Sequence, residues 1–134
     1  MILVDTNVWS VSTKTRPALR VKAWLDANQD QLWLSPLVIA EIRYGLERPE
    51  AADRRAMLRA WLGGLEDGFR ARTLPFDSAA GHLLGRLLLQ KPQEAKLLDT
   101  LLAAQALSRD CPIATRNVRD FAWTGVTLIN PWES

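Results

Sequence analysis

Three acids stand where acids are costly. Asp5 directly follows Met1-Ile2-Leu3-Val4, Glu41 sits inside Leu37-Val38-Ile39-Ala40-Glu41-Ile42, and Asp99 sits inside Leu97-Leu98-Asp99-Thr100-Leu101-Leu102. An ionised carboxylate in apolar surroundings is strongly disfavoured unless it is paired, protonated or bound to a metal. Most of the other acids lie among polar residues, as solvated acids do, and Asp77 reads as a helix cap. Carboxylates gathered within a few ångströms repel one another and need a hard divalent cation to stay ionised together. The chain has one histidine, His82, and one cysteine, Cys111, so the donors are oxygen only. That set points to Mg²⁺ or Mn²⁺ rather than zinc, and to metal-assisted hydrolysis of a phosphodiester. His82 lies far from the acid segments and reads as structural. Cys111 precedes an apolar run and reads as an inert thiol.

The charge balance fits a polyanionic substrate. The net charge is +2, and it becomes +6 once four acids are neutralised as ligands. Lys14, Arg16 and Arg20 follow Asp5 in the chain, Arg43 stands two residues after Glu41, and Arg116 and Arg119 flank Asn117. They are candidate phosphate contacts.

These residues need elements to hold them. Residues 1–4 read as a buried strand ending at Asp5-Thr6-Asn7, and residues 17–27 as a helix with Pro17 near its start. Residues 31–34 read as a second strand, followed by a helix that Ser35 caps and that runs to about Arg48. Residues 49–65 read as a helix ended by Gly63-Gly64, and 72–74 as a third strand. Asp77 caps a helix over 78–90, residues 91–96 form a loop, and 97–108 form an apolar helix. Residues 112–114 are a fourth strand, 115–117 a polar turn, and 126–129 a fifth strand. This alternation predicts an α/β domain with a mostly parallel sheet. In such sheets ligands bind at the carboxyl ends of strands, where Asp5 and the 115–117 turn would lie. Glu41 and Asp99 fall in early turns of their helices, near the same edge.

At 134 residues the chain has the length of one domain, expected to span 1–134. Apolar residues make up 48% and charged residues 24%, which are globular values and argue against disorder. One cysteine excludes a disulfide framework. No charged-then-apolar leader opens the sequence, and no apolar run approaches the roughly 20 residues that span a bilayer. A cytoplasmic protein with no membrane partner is the expectation.

The motifs resemble a known family. Ile2-Leu3-Val4-Asp5-Thr6-Asn7-Val8 looks like the opening of a PIN domain. Leu34-Ser35-Pro36 with Ala40-Glu41-Ile42-Arg43-Tyr44-Gly45 resembles its second signature, and Leu98-Asp99-Thr100-Leu101-Leu102-Ala103-Ala104 its third. Ala114-Thr115-Arg116-Asn117-Val118-Arg119-Asp120-Phe121, with Gly125 and Asn130-Pro131-Trp132 behind it, resembles the last. The likeness runs in order over nearly the whole chain and is closest to VapC/FitB-type toxins of type II toxin–antitoxin modules.

The resemblance implies a three-layer α/β/α fold with about five short strands, and a Mg²⁺- or Mn²⁺-dependent endoribonuclease directed at single-stranded RNA. By match, Asp5, Glu41 and Asp99 are the core metal-coordinating catalytic acids. Asp120 is the favoured fourth carboxylate, although many members carry an acid where Asn117 stands. Thr6, Asn7 and Thr115 would support the site by hydrogen bonds. The implied partners are an RNA substrate, a second copy in a homodimer, and an antitoxin that covers the active site. Three other readings compete: a PIN-type RNA-processing nuclease without an antitoxin, a catalytically silent PIN-like binding module, and a metal-dependent phosphatase.

Overall fold

A computed structural model describes residues 1–133. Its centre is a sheet of four short parallel strands: β1 (Ile2–Val4), β2 (Leu32–Trp33), β3 (Ile113–Ala114) and β4 (Leu128–Ile129), in the order β2-β1-β3-β4. β1 pairs with β2 through Leu3↔Trp33 and with β3 through Val4↔Ala114, and β3 pairs with β4 through Ile113↔Leu128. Leu3, Val4, Ile113 and Ala114 have no exposed surface. Strands covered on both faces read as continuous apolar runs, and this is why Ile2-Leu3-Val4 lacks alternation.

Helices complete the three layers: α1 (Thr6–Trp9), α2 (Leu19–Ala27), α3 (Pro36–Glu47), α4 (Arg55–Gly68), α5 (Ser78–Gln90), α6 (Leu97–Ser108) and α7 (Val118–Phe121). The caps are local chemistry. The Ser35 hydroxyl accepts from the Leu37 amide ahead of Pro36 at the first turn of α3, and the Asp77 carboxylate accepts from the Ala80 amide at α5. The α6 limits match the expectation of 97–108.

Four expectations need correction. Gly63-Gly64 do not end a helix, because α4 continues to Gly68. Each glycine costs about 1 kcal/mol in a helix interior. The same helix buries Leu62 and packs Leu58, Trp61 and Leu65 on the core, at about 1.5–3 kcal/mol for a fully buried side chain. Packing therefore outweighs propensity. The stretch from Pro49 to Arg54 is a 3-10 segment rather than α-helix. The helix expected from Pro17 starts at Leu19, with Ala18 still extended. The expected strand over 72–74 is reduced to one parallel bridge, Leu34↔Thr73, on the β2 edge. There the Leu34 amide donates to the Arg72 carbonyl at 2.9 Å and the Leu74 amide to the Leu34 carbonyl at 2.8 Å.

The order β2-β1-β3-β4 makes the chain leave β1 to one side for β2 and to the other side for β3. The carboxyl ends of β1 and β3 therefore flank the switch point, where an open parallel sheet forms its crevice. Asp5 follows β1 there and Thr115 follows β3.

Candidate active site

Asp5 is held from three directions. Its Oδ1 accepts from the Thr6 amide at 2.8 Å. Its Oδ2 accepts from the Thr115 hydroxyl at 2.8 Å and from the Asn7 side-chain amide at 3.2 Å. Asn7 Oδ1 in turn accepts from the Arg116 amide at 3.0 Å, which leaves Nδ2 to face Asp5 and Thr115. The Asn117 amide donates to the Thr115 hydroxyl oxygen at 3.0 Å. The turns after β1 and β3 are thus stitched together around one carboxylate.

Asp5, Glu41 and Asp99 line one small pocket whose apolar walls include Leu37, Leu98 and Leu102. Its free volume is about 10 Å³, room for about one water-sized occupant. α3 brings Glu41 from its second turn, and α6 brings Asp99 from its first, where the helix N-terminus favours negative charge. Burial pushes the Asp5 carboxyl above the ordinary carboxylate range. Its bonds from Thr115 and Thr6 oppose the rise, and the charge of Glu41 adds to it. The Asp99 carboxyl is pushed up to about 6, first by burial, then by Asp5, with the Lys96 ammonium opposing and with Glu41 and Asp120 adding. The negative charges act on one another as one cluster.

Asp120 is exposed in the first turn of α7 and shares a shallow cleft of about 120 Å³ with Asp99, Lys96 and Arg119. It joins the cluster from the Asp99 side. Asn117 stands at the N-cap position of α7, but its side chain makes no cap bond. Thr6 supports Asp5 through its backbone amide. Its hydroxyl is a buried polar atom without a hydrogen-bond partner among the described residues.

The cations are distributed unevenly. Arg43 is exposed on α3, pairs with Glu47 at 3.4 Å, and lines neither the acid pocket nor the groove beside it. The Arg116 guanidinium lies over the Trp132 ring at 4.9 Å. A groove of about 520 Å³ adjoins the pocket, shares Thr6 and Glu41 with it, and carries Lys14, Arg48 and Arg54 on its walls. Sequence reasoning singled out Lys14 but not Arg48, Arg54 or Lys96. Arg48 comes to the groove from the end of α3, and Arg54 from the end of the 3-10 segment over 49–54. Lys96 is the residue before α6, and its proximity to Asp99 was a readable signal.

The donor set fits a hard divalent cation. All the acids are oxygen donors, and no ion pair with Lys or Arg neutralises Asp5, Glu41, Asp99 or Asp120 among the described residues. Two of these carboxyls are driven towards protonation by burial and repulsion, which a bound cation would reverse. Among the described residues no three His, Cys, Asp or Glu side chains are drawn together tightly enough to grip one ion alone. Mg²⁺ keeps several waters and uses one or two carboxylates plus substrate phosphate, so a loose set suits it.

Comparison with known proteins shows the family and the fold. The family model described as PIN domain matches residues 2–124. The chain is 36% identical over 138 residues to "VapC ribonuclease Y4jK" of Sinorhizobium fredii, covering 99% of each sequence. It is 31% identical over 137 residues to "Toxin FitB" of Neisseria gonorrhoeae, covering 98% of this chain and 99% of that one. The crystal structure of FitAcB from Neisseria gonorrhoeae superposes with a TM-score of 0.88 at 30% identity, covering 100% of both chains.

Proposed function

Because this chain belongs to the PIN-domain family, among its VapC/FitB-type toxins, we propose that it is a Mg²⁺- or Mn²⁺-dependent endoribonuclease and the toxin of a VapBC-type module. The observation that carries the reading is the convergence of Asp5, Glu41 and Asp99 on one pocket at the carboxyl ends of β1 and β3, with no ion pair to Lys or Arg among the described residues. A relative named a ribonuclease and another named a toxin, both matched over nearly their whole lengths, support it.

Asp5, Glu41, Asp99 and Asp120 are the proposed cation ligands and catalytic acids. A bound divalent cation supplies Lewis-acid stabilisation of the phosphoryl oxygens and lowers the pKa of water. Thr115, Asn7 and the Thr6 amide hold the Asp5 carboxylate in one orientation, so little reorganisation is needed when substrate arrives. Asn117 acts through its amide, which fixes the Thr115 hydroxyl. Lys96 and Arg119 share the cleft of Asp99 and Asp120, and Lys14, Arg54 and the Glu50-paired Arg48 line the groove beyond Glu41, so a single strand of RNA can cross the acids between two basic borders. The protein acts in the cytoplasm as a homodimer, and a cognate antitoxin silences it by covering the acids.

The test is cleavage of labelled single-stranded RNA in Mg²⁺, Mn²⁺ or EDTA, with Asp5→Ala in parallel. Cleavage that needs the cation and is lost in the variant is expected. No cleavage by the folded parent in Mg²⁺ or Mn²⁺, or cation-dependent cleavage that persists undiminished in Asp5→Ala, overturns the assignment.

A further inference from the structure

Gln105 is a polar side chain with no exposed surface, set in an apolar helix. Its Oε1 accepts the Ser35 hydroxyl proton, and its Nε2 donates to the Leu74 carbonyl at 2.9 Å. The same Ser35 oxygen accepts the Leu37 amide at the start of α3. One side chain of α6 is therefore bonded to the cap of α3 and to the segment that bridges the β2 edge.

The spacing around this bond is symmetric. Glu41 lies six residues after Ser35, and Asp99 lies six residues before Gln105. Ser35 begins α3 and meets Gln105 near the end of α6, while Glu41 further along α3 shares a pocket with Asp99 at the start of α6. The two helices therefore run antiparallel at this contact. Six residues of helix rise about 9 Å, so the bond and the acid pair are equal distances apart along both helices. The pocket repeats the match, with Leu37, Val38 and Glu41 facing Leu98, Asp99 and Leu102. A slip of one residue would move an acid about 1.5 Å along the axis and turn it by about 100°.

The geometry points to the Ser35–Gln105 hydrogen bond as an axial register lock between α3 and α6, with Gln105 a positioning residue that sets the separation of Glu41 and Asp99. A buried leucine would pack in α6 without any need for partners. The glutamine instead bonds only at one offset of the two helices, because a slip leaves both the Ser35 hydroxyl and the Leu74 carbonyl unpaired. Its consequence for catalysis rests on the ribonuclease reading, whereas the register itself does not.

Gln105→Met keeps length and removes both bonds. Ser35→Gly removes the hydroxyl, and with it both the Gln105 bond and the Leu37 cap bond, although glycine is still tolerated at an N-cap. Ser35→Thr keeps cap and donor and serves as the rescue. Three readouts are taken: the crystal structure, Mn²⁺ affinity by titration calorimetry, and kcat and KM on RNA. The lock predicts that α6 shifts along α3 by about 1 Å or more in the folded Gln105→Met or Ser35→Gly protein. It further predicts Mn²⁺ affinity and kcat reduced about tenfold with KM little changed, and parent-like values in Ser35→Thr. If Gln105→Met does not fold, Ser35→Gly carries the same expectation. Unchanged helix register with affinity and kcat within about twofold of the parent would make Gln105 a core hydrogen-bond partner and nothing more. If the parent binds no Mn²⁺ and cuts no RNA, the ribonuclease reading fails, and the crystallographic shift alone decides the lock.

Discussion

The Thr115 hydroxyl donates to Asp5 Oδ2 at 2.8 Å across 110 residues of sequence. That bond closes the sheet crevice: it joins the ends of two neighbouring strands and aims the most buried acid of the site. Thr115→Val keeps the side-chain volume and deletes the bond. Mn²⁺ affinity should fall about 10-fold or more, the scale seen when a ligand loses its supporting partner. Stability should fall by about 1–3 kcal/mol, because the hydroxyl also accepts the Asn117 amide, which the valine leaves without that partner. Calorimetry and thermal melts on one preparation separate the two effects.

Asp5→Ala and Asp99→Asn should each abolish RNA cleavage and leave a folded protein. In Asp99→Asn a carboxyl raised to about 6 by burial and repulsion becomes neutral. At neutral pH and without added metal this variant should melt higher than the parent, by about 1 kcal/mol after allowance for solvent screening. A lower melting temperature together with full activity would remove Asp99 from the acid cluster.

The same shifts set a pH dependence. The folded-state value of Asp99, about 6, lies above its ordinary 3.8, and Asp5 is displaced in the same direction. Between the two values the folded protein holds more protons than the unfolded chain. The contribution of these groups is therefore complete below the window and lost as pH rises through it. In EDTA the parent should lose melting temperature from about pH 4 to about pH 6 relative to Asp99→Asn, and the difference should level off above that. Excess Mg²⁺ should narrow that difference by binding the ionised form. An identical pH response in the two proteins would contradict the shift.

Asp120 and Asn117 divide the fourth position differently. The charge of Asp120 is felt at Asp99, whereas Asn117 contributes its backbone amide to Thr115. Asp120→Asn should weaken Mn²⁺ binding and lower kcat by about 10-fold or more. Asn117→Ala, which keeps the amide, should change both by less. The reverse ranking would transfer the role to Asn117.

Much of this was legible from the amino acids alone. Asp5, Glu41 and Asp99 stand out because a charge in an apolar run has to be explained, and the structure places all three on one pocket. The α3 and α5 starts were readable because Ser35-Pro36 and Asp77 cap through bonds to their own helices. Strand positions were readable as apolar runs, but β2, β3 and β4 span two residues each, too short for any periodicity to fix their limits. Tertiary packing decided the rest. It carried α4 through Gly63-Gly64, because burying Leu62 outweighs the glycine cost. It reduced the 72–74 segment to a single bridge. It placed Arg48 and Arg54 on the groove while leaving Arg43 paired to Glu47. Above all it gave Gln105 its partners. A glutamine in a helix is unremarkable as sequence, and only the fold shows that burial has left it the Ser35 hydroxyl and the Leu74 carbonyl. Local signals are written by neighbours in the chain, whereas register and convergence are written by residues 70 or 110 positions apart.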